Sequence, residues 1–421
     1  MAANQLLTTS KITLECLEVL ENQLTFSSRV NRTYDSQFSG TGGKIGATVN
    51  VRKPSRYQVT TGQALVVQPS VETYVPVTLT NQDHVDLGAS SVDYTLNIND
   101  FRDQFIVPAM AALANKIDYN GLQMAYKNTY NFVGTPGQIT GTPTSAQALL
   151  AIAQAGQKLD ENACPRDGKR SAIISPATNT GLVTANASLF NPQTAISDQY
   201  SGGRMGANVL GFDFYGDQNI PMHTSGTQNA TFATGGAAQA GSNTVQSDAT
   251  TPFTLTTAAI TGTLTAGTVF TIAGVFAVNP QSRVSTGQLQ NFVVKADTLA
   301  SATSVSISPY PIFTGSFQNV TSSTANIAAA ATCTILSGLN GAQAPQNIFM
   351  HKSAFTLACA DLKRPTGGNG QSEIANSKAA GLSIRLIKDW YDVQSDNFYT
   401  RIDVLYGYQA LYPELAVRLT G

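Results

Sequence analysis

The side chains that most often perform enzyme chemistry are sparse in this sequence. Histidine occurs three times, at His84, His223 and His351, and no two of these lie within helical or hairpin spacing. Zinc sites and Ser-His-Asp triads both need imidazole groups at defined positions, so we interpret each histidine as structural. The chain also contains no HExxH motif and no GxSxG nucleophile elbow.

The cysteines do not have the spacing of a metal site. The chain has four of them, without any CxxC pair: Cys16, Cys164, Cys333 and Cys359. Metal sites and disulfide frameworks need clustered or regularly spaced cysteines, so we expect buried free thiols.

Three glycine-rich segments are candidates for phosphate-binding loops, and none has the required context. GTGGKIGAT, from Gly40, lacks the GxxxxGK[ST] order and precedes a strand instead of following one. SGGRMG, from Ser201, and TGGNGQ, from Thr366, have no strand-turn-helix context. The acidic pair Asp160 and Glu161 is interpreted as a solvated helix end. We therefore expect no enzyme activity, no catalytic residues, no cofactor and no metal ion.

Charge and length restrict the class of protein further. The 421 residues are 42% hydrophobic but only 12% charged, about half of the roughly 25% usual in soluble domains. A formal net charge of -1 argues against a protein that grips nucleic acid or a membrane surface electrostatically. The first residues lack a signal-peptide pattern, and no run approaches the ~18 apolar residues of a membrane span. We expect a cytoplasmic product that does not enter a membrane.

The predicted elements begin with a helix and a long hairpin. Apolar residues at helical spacing predict an amphipathic helix from Ser10 to Leu24. Alternating residues predict strands at Thr48–Pro54 and Val71–Asn81, joined by a polar extended loop that is too long to fold on itself. Arg52, Lys53 and Arg56 lie near the base of this hairpin. They form either a solvated face or contacts to an acidic neighbour.

A long helix and alternating α and β elements follow. The longest helical pattern starts at Asp100 and would span about 40 Å, with Pro108 either starting a second segment or kinking it. Beyond a Gly/Pro/Thr connector, a helix is predicted at Ser145–Glu161 and a strand at Ser171–Pro176. A helix at Pro176–Leu189 and a strand in VLGFDFYGDQNIP come next. This alternation predicts a mixed sheet flanked by helices.

The composition changes at His223. From there to Pro345 the chain has four charged residues: Asp248, Arg283, Lys295 and Asp297. TPFTLTT, VFTIAGV, NFVVKA and SVSISP keep strand patterning at regular intervals, which favours a small all-β unit over disorder. After it we predict a strand in NIFMHK, a helix in SAFTLACADL, a glycine-rich loop in RPTGGNGQSEIANSKAAG, and long closing strands. The β unit would therefore interrupt one mixed α/β domain.

The order of these elements is similar to that in a known family. GATVNVRKP, LNINDFRDQFIVPAMAALANKIDYN, VLGFDFYGDQNIP and RIDVLYGYQALYPELAVR resemble the major capsid protein of tailed double-stranded-DNA bacteriophages. The likeness is to the short-tailed Salmonella-phage coat protein branch, and TLTAGTVFTIAGVFAVNPQSR with TGQLQNFVV resembles its insert. The resemblance implies an α+β, Hong Kong 97-like fold with a long spine helix, an extended β-hairpin loop, a mixed α/β axial domain and an inserted telokin-like β-barrel.

The resemblance also implies a division of the chain. The N-terminal arm would be residues 1–41, the extended loop 42–90, and the peripheral domain with its spine helix 91–129. The axial domain would start at 130–222, the inserted β-barrel would occupy 223–345, and 346–421 would close the axial and peripheral domains. The extended loop would lie over a neighbouring subunit.

The implied function is that of a structural protein which self-assembles into the icosahedral shell around a double-stranded DNA genome. Its partners would be copies of itself in pentamers and hexamers, a scaffolding protein, a portal and a decoration protein. The DNA would be enclosed without sequence-specific binding, and assembly would take place in the bacterial cytoplasm. Inter-subunit contacts are expected at Arg52, Lys53, Arg56 and Asp248.

One departure from the family concerns the insert loop at about 226–250, where Asp248 is the only charge. Ionic contact between capsomers through this loop is therefore in question, which favours polar contacts or a decoration protein. The alternatives are a Thr/Ser-rich surface-layer or adhesin-type protein and an enzyme with an unrecognised site. The first would need export, and the second would need clustered groups with perturbed pKa values.

Overall fold

The computed structural model describes residues 9–33, 48–54, 56–57, 59–63, 65, 67, 73–90, 106–140, 143–185, 209–241, 251–365, 371–377 and 382–421. The chain divides into two compact units, each assembled from three segments. The first unit comprises Met1–Val51, Pro76–Gly121 and Thr356–Gln409. The second comprises Arg52–Val75, Leu122–Phe355 and Ala410–Gly421.

In the first unit, helix α1 (Thr9–Gln23) packs against one face of a sheet. Cys16, Leu17 and Leu20 are buried on its inner side. The predicted helix at Ser10–Leu24 is confirmed, because its apolar spacing matches the face that the sheet covers.

The sheet of the first unit has five strands. Their order is β16 (Phe355–Ala360), β19 (Asn397–Ala410), β18 (Leu382–Asp392) and β17 (Gln371–Ser377), and β3 (Asn81–Ser90) also pairs with β19. The described pairs β17–β18, β18–β19 and β19–β3 are antiparallel. Alternate residues of β18 and β19 supply the core, among them Ile384, Leu386, Ile402 and Val404. The other face carries Arg385, Arg401 and Asp403.

Two sequence predictions in this sheet are wrong. SAFTLACADL contains strand β16 instead of a helix, and QSEIANS is strand β17 instead of part of a loop. Phe355 to Cys359 are all buried, and a short, fully buried apolar run has no periodicity that separates a strand from a helix. The polar sequence of β17 becomes a strand because β18 provides its hydrogen-bonding partners along its whole length.

A two-stranded sheet forms the base of the predicted hairpin. β1 (Thr48–Lys53) pairs with β2 (Thr73–Thr78), which confirms both strands. Their alternating burial reflects the alternation of apolar and polar residues in TVNVRK and TYVPVT.

Helix α2 (Val107–Asn128) is the longest described helix. The predicted start at Asp100 and the residues up to Phe105 lie outside the described residues. Pro108 occupies the first turn, where a missing amide proton costs no intrahelical hydrogen bond. Residues of α2 up to Gly121 belong to the first unit, and those from Leu122 belong to the second.

The second unit contains a sheet whose strands come from distant parts of the sequence. Its order is β4 (Phe132–Val133), β20 (Ala416–Thr420), β15 (Gln343–His351), β5 (Arg170–Ile174) and β6 (Asp213–Gly216), and β7 (Met222–Thr224) also pairs with β15. The predicted strands in this region are confirmed. The sheet joins residues from before and after 223–345, because β15 and β20 pair with each other and β15 pairs with β5.

Two helices accompany this sheet. α3 (Ser145–Glu161) has the predicted bounds, and its start is fixed by a capping box in which Thr144 and Gln147 bond each other's backbone amide. α4 (Pro176–Ala185) confirms the start of the predicted helix, whose remaining residues to Leu189 lie outside the described part. The apolar faces of α3, α4 and the sheet share one core.

The segment between His223 and Pro345 forms a seven-stranded antiparallel sheet. Its order is β8 (Thr231–Ala233), β14 (Thr332–Ile335), β10 (Val269–Val278), β11 (Ser285–Val294), β12 (Ser304–Ser308) and β9 (Phe253–Thr256), with β13 (Val320–Thr321) also paired to β10. All four strand predictions here are confirmed. A bridge between Thr234 and Thr257 links the ends of the two outer strands, β8 and β9. The sheet encloses a core of its own, separate from that of the α3 and α4 sheet.

Candidate functional site

The base of the extended hairpin holds three of the four predicted contact residues. Arg52 points to solvent from β1, and Lys53 is buried with its Nζ 5.0 Å from the centre of the Tyr412 ring. Arg56 Nη2 lies 3.2 Å from Glu414 Oε1. Lys53 and Arg56 therefore meet the same short segment of their own chain, whereas Arg52 lies on the other side of the strand. Asp248 lies outside the described residues.

The partner segment of Lys53 and Arg56 is itself held firmly. The Glu414 carbonyl accepts hydrogen bonds of 3.2 Å from both Asn131 Nδ2 and Asn162 Nδ2. Asn162 caps the carboxyl end of α3. The start of the extended loop is thus attached to the second unit through an ion pair and a cation–π contact.

Beyond this base, the loop exposes large apolar side chains. Val59, Leu65 and Val67 are 94%, 89% and 80% exposed, and Tyr57 and Tyr74 are also mainly exposed. Isolated exposed apolar residues are ordinary, but several in one extended segment are typical of a surface that another protein covers.

A buried arginine that the sequence did not reveal occupies the centre of the second unit. Arg418 on β20 is 0% exposed. Its Nε and Nη2 donate to Gln346 Oε1 at 3.1 and 2.6 Å, and Nη1 donates to the carbonyls of Tyr126 and Gly267 at 3.0 and 2.7 Å. Burial lowers the pKa of Arg418 to about 9, so it stays charged at neutral pH. Its alternation with Val417 and Leu419 gave no signal of this, because a charged residue on a strand usually indicates an exposed face.

Arg418 lies where the seven-stranded sheet meets the rest of the second unit. Gly267 belongs to the turn before β10, and Tyr126 to the last turn of α2, whose carbonyls carry partial negative charge. Gly267 has φ +97, and a Cβ there would approach the Tyr126 ring to 2.7 Å. A small apolar cluster of Tyr130, Phe132, Val269 and Val293 lies at the same junction. The junction is buried and tightly packed.

The histidines have structural surroundings. His351 Nε2 lies 3.1 Å from Asp167 Oδ1, and His84 Nδ1 lies 3.0 Å from Asp86 Oδ2. His223 is buried against Tyr126, and burial together with the charges of Arg418 and Lys127 lowers its pKa to about 3. Across the described ranges, no three His, Cys, Asp or Glu side chains form a group that could hold a metal ion.

The remaining candidates for chemistry are also accounted for by packing. All four cysteines are free and buried, as predicted, and desolvation raises the pKa of Cys16 and of Cys333 to about 12. Asp160 accepts hydrogen bonds from Arg166 and Arg170, and the Arg166 bond is the largest of the causes that lower its pKa. In the part of the chain that the structure describes, no helix has the length and apolar character needed to cross a membrane.

Comparisons with known proteins identify the family. The family described as "P22 coat protein - gene protein 5" matches residues 1–421. A structure of Mycobacterium phage Che8 resembles the chain with a TM-score of 0.50 and 13% identity, over 94% of this chain and 91% of that one. No curated protein matches the chain.

Two further phage structures resemble the chain more distantly. The capsid of the Cyanophage P-SCSP1u has a TM-score of 0.45 and 11% identity, over 89% and 83% of the two chains. The capsid of Ralstonia phage GP4 has a TM-score of 0.44 and 9% identity, over 94% and 90%. Because its whole length matches the family, this chain belongs to the P22 coat protein family and is a structural major capsid protein of a tailed phage.

Proposed function

We propose that copies of this chain close into an icosahedral shell of pentamers and hexamers around a double-stranded DNA genome. The observation that carries the proposal is the match of the whole chain to a coat protein family. Each subunit of such a shell is held by several neighbours at once, so individually weak contacts suffice. The protein acts by packing and has no enzymatic step.

We further propose that the fold is Hong Kong 97-like, with α2 as the spine helix and residues 223–345 as an inserted β-barrel of the telokin type. Two features support the barrel. The bridge between Thr234 and Thr257 joins the outer strands β8 and β9, and the enclosed core is separate from that of the neighbouring sheet. The proposed segments remain those of the sequence prediction: arm 1–41, extended loop 42–90, peripheral 91–129, axial 130–222, insert 223–345 and closing part 346–421.

The extended loop is the segment proposed to reach a neighbouring subunit. Its exposed Val59, Leu65 and Val67 would be covered there. The contacts of Lys53 with Tyr412 and of Arg56 with Glu414 hold the base of the extended loop. Arg52, exposed on β1, stays a predicted inter-subunit contact. Lys53, Arg56 and Asp248 stay predictions as inter-subunit contacts.

The proposed partners follow from the same assignment. Assembly in the bacterial cytoplasm would use a scaffolding protein and a portal, and the DNA would be enclosed without sequence-specific contacts, in keeping with the net charge of -1. Asp248 as the only charge in residues 226–250 supports polar contacts between capsomers, or a decoration protein, in place of ion pairs.

Electron microscopy tests this function directly. The full-length protein is expressed with and without the neighbouring phage genes, purified and imaged. Closed icosahedral particles whose subunit density contains a separate lobe for residues 223–345 are expected. A protein that remains monomeric in both preparations would refute the assignment.

A further inference from the structure

The open face of the sheet in the first unit carries an unusual concentration of positive charge. Arg385 on β18 and Arg401 on β19 lie on this face, together with Lys363 and Arg364 from the segment after β16. With Pro365 and Ile387 they line an open pocket of about 550 Å³. Every charged residue in the lining is basic.

Three carboxylates pair with the arginines of this pocket, namely Asp403, Glu373 and Asp86, whose Oδ1 lies 3.7 Å from Arg401 Nη1; against the four cations they leave one positive charge in excess. Asp403 is fully buried and is shared by two guanidinium groups, with Arg385 Nε at 3.0 Å and Arg401 Nε at 2.6 Å. Arg364 is half exposed and lies 3.6 Å from Glu373 Oε2, beyond hydrogen-bond distance. Among the described residues, no carboxylate forms an ion pair with the exposed Lys363. The pocket therefore presents cations that are suited to an incoming anion.

The turn between β18 and β19 has the complementary character. Asp392 accepts hydrogen bonds from Gln394 N at 3.1 Å and Ser395 Oγ at 2.7 Å, and Asp396 Oδ1 accepts one from Tyr391 OH at 3.0 Å. These bonds preorganise two carboxylates around Val393, whose side chain is 75% exposed. The result is a small, acidic, apolar-tipped protrusion.

The turn of one molecule cannot reach its own pocket. Asp392 pairs with Asn397 at one end of the hairpin, while Arg385 pairs with Asp403 seven residues further along. At about 3.3 Å per residue this separation is roughly 23 Å along a strand. An acidic turn that fills the pocket has to come from another molecule.

We propose that the acidic turn Tyr391–Asp396 of one copy docks into the basic pocket of a neighbouring copy. The contact rests on the proposed shell function, and it joins two different patches of the same chain. Such a heterologous contact closes a ring of subunits when its rotation allows closure. Asp392 and Asp396 face Lys363 and Arg364, and Val393 packs toward Ile387. Complementary charge sets the register and suppresses wrong pairings.

Chemical cross-linking of purified particles tests the juxtaposition. Lys363→Cys and Asp396→Cys are combined in the full-length chain and treated with a short bis-maleimide; the four native cysteines are buried and react slowly. A ladder of covalent dimers, trimers and larger species is expected on a denaturing gel. The matched pair of Asp396→Cys with Lys352→Cys, an exposed lysine in the turn after β15, should give no ladder. Cross-links from Asp396→Cys alone would overturn the proposal, because they would place turn against turn.

Charge exchange provides the second test. Two sets of substitutions should each lower the yield of closed shells at least about tenfold. The first set makes the pocket acidic with Lys363→Glu and Arg364→Glu. The second set makes the turn basic with Asp392→Asn, Gln394→Lys and Asp396→Asn. The asparagines retain the turn, since Asn, like Asp396 at φ +53, tolerates the left-handed region. Combining both sets should restore the yield, while Lys352→Glu should not change it.

Two outcomes would contradict the contact while leaving the shell function intact. The first is a normal shell yield from both single sets. The second is a normal yield with weaker, less salt-dependent binding of short double-stranded DNA in the Lys363→Glu, Arg364→Glu shells, which would assign the pocket to phosphate. If the unaltered chain forms no shells, the proposed function itself fails.

Discussion

At the scale of single residues, the buried charge of Arg418 is the feature that most constrains this protein. A desolvated guanidinium is tolerated only where its donors are satisfied, and here Gln346, Tyr126 and Gly267 supply three oxygens. Gln346 can accept because its amide nitrogen is occupied by the Ala344 carbonyl at 3.0 Å. Arg418 thus links the seven-stranded sheet to the remainder of the second unit, beside the apolar cluster of Tyr130, Phe132, Val269 and Val293.

Arg418→Met should destabilise the folded chain by about 3 kcal/mol or more, because it leaves buried carbonyl and amide oxygens without donors. Urea unfolding followed by fluorescence measures the change. Arg364→Met, at a half-exposed position, serves as the control and should stay within about 0.5 kcal/mol. A fully stable Arg418→Met variant would show that the junction does not depend on these hydrogen bonds.

His223 makes the stability of the second unit depend on pH. Its folded-state pKa of about 3 lies below the ordinary 6.5, so between these values the unfolded chain binds a proton that the folded chain does not. The stabilisation that depends on a neutral His223 is fully present above about pH 6.5. As the pH is lowered from there to about 3, the free energy of unfolding falls by up to roughly 1.4 kcal/mol per pH unit. His223→Gln should flatten this part of the profile of unfolding free energy against pH. An unchanged slope would contradict the assignment.

At the scale of elements, one carboxylate fixes the segment that follows α1. Asp118 on α2 is buried and accepts the backbone amides of Thr25, Phe26 and Ser27 at 2.6, 3.2 and 3.0 Å. Gly121, one turn further along α2, lets Phe26 approach, since a Cβ there would lie 2.7 Å from the Phe26 ring. The position of the N-terminal helix is therefore set by side chains nearly a hundred residues away in sequence.

Asp118→Ala should cost about 3 kcal/mol, because it orphans three buried amides at once. Hydrogen exchange of the amides of Thr25, Phe26 and Ser27 should accelerate before exchange in the sheet does. Glu18→Ala, on the exposed side of α1, is the matched carboxylate control and should change stability by less than about 0.5 kcal/mol. Slow exchange at these amides in the Asp118→Ala variant would mean that the segment is anchored by packing alone.

At the scale of the whole molecule, the chain keeps separate cores but exposes apolar side chains on the extended loop. We propose that a subunit surrounded by copies of itself buries these side chains on assembly, because removing apolar area from water is favourable. The extended loop and the basic pocket belong to different segments. A subunit could therefore contact one neighbour through apolar side chains and another through charged ones.

Replacing Val59, Leu65 and Val67 together by serine should change the stability of the unassembled chain by less than about 1 kcal/mol, since these side chains are already exposed. Shell formation should fall sharply, because the covered apolar area is lost in every subunit. Light scattering during assembly, with urea unfolding of the unassembled chain, separates the two effects. Leu299→Ser, at an exposed leucine outside the extended loop, is the control. Normal assembly of the triple variant would exclude the extended loop as an interface.

The amphipathic and alternating segments were predictable from sequence because a single covered face imposes their period. α1, α3, β1, β2, β5 and the strands of residues 253–308 were found in this way. The buried strand β16 and the polar strand β17 were not, because burial on both faces erases the period and a polar strand depends on its partner. The capsid function was reached through resemblance in the order of elements, and the surface-layer alternative is displaced by the family match.

Three properties follow from the amino-acid sequence alone: which segments are apolar on one face, the scarcity of charge across residues 223–345, and a scatter of imidazole and thiol groups too wide for a recognisable catalytic motif. The folded chain was needed to find that Arg418 is buried, that Asp118 holds the chain after α1, and that four basic residues line one pocket. The physical reason is the range of the interactions. Periodicity follows from neighbours a few residues apart, whereas the partner of a buried charge is brought to it by pairing between segments hundreds of residues apart.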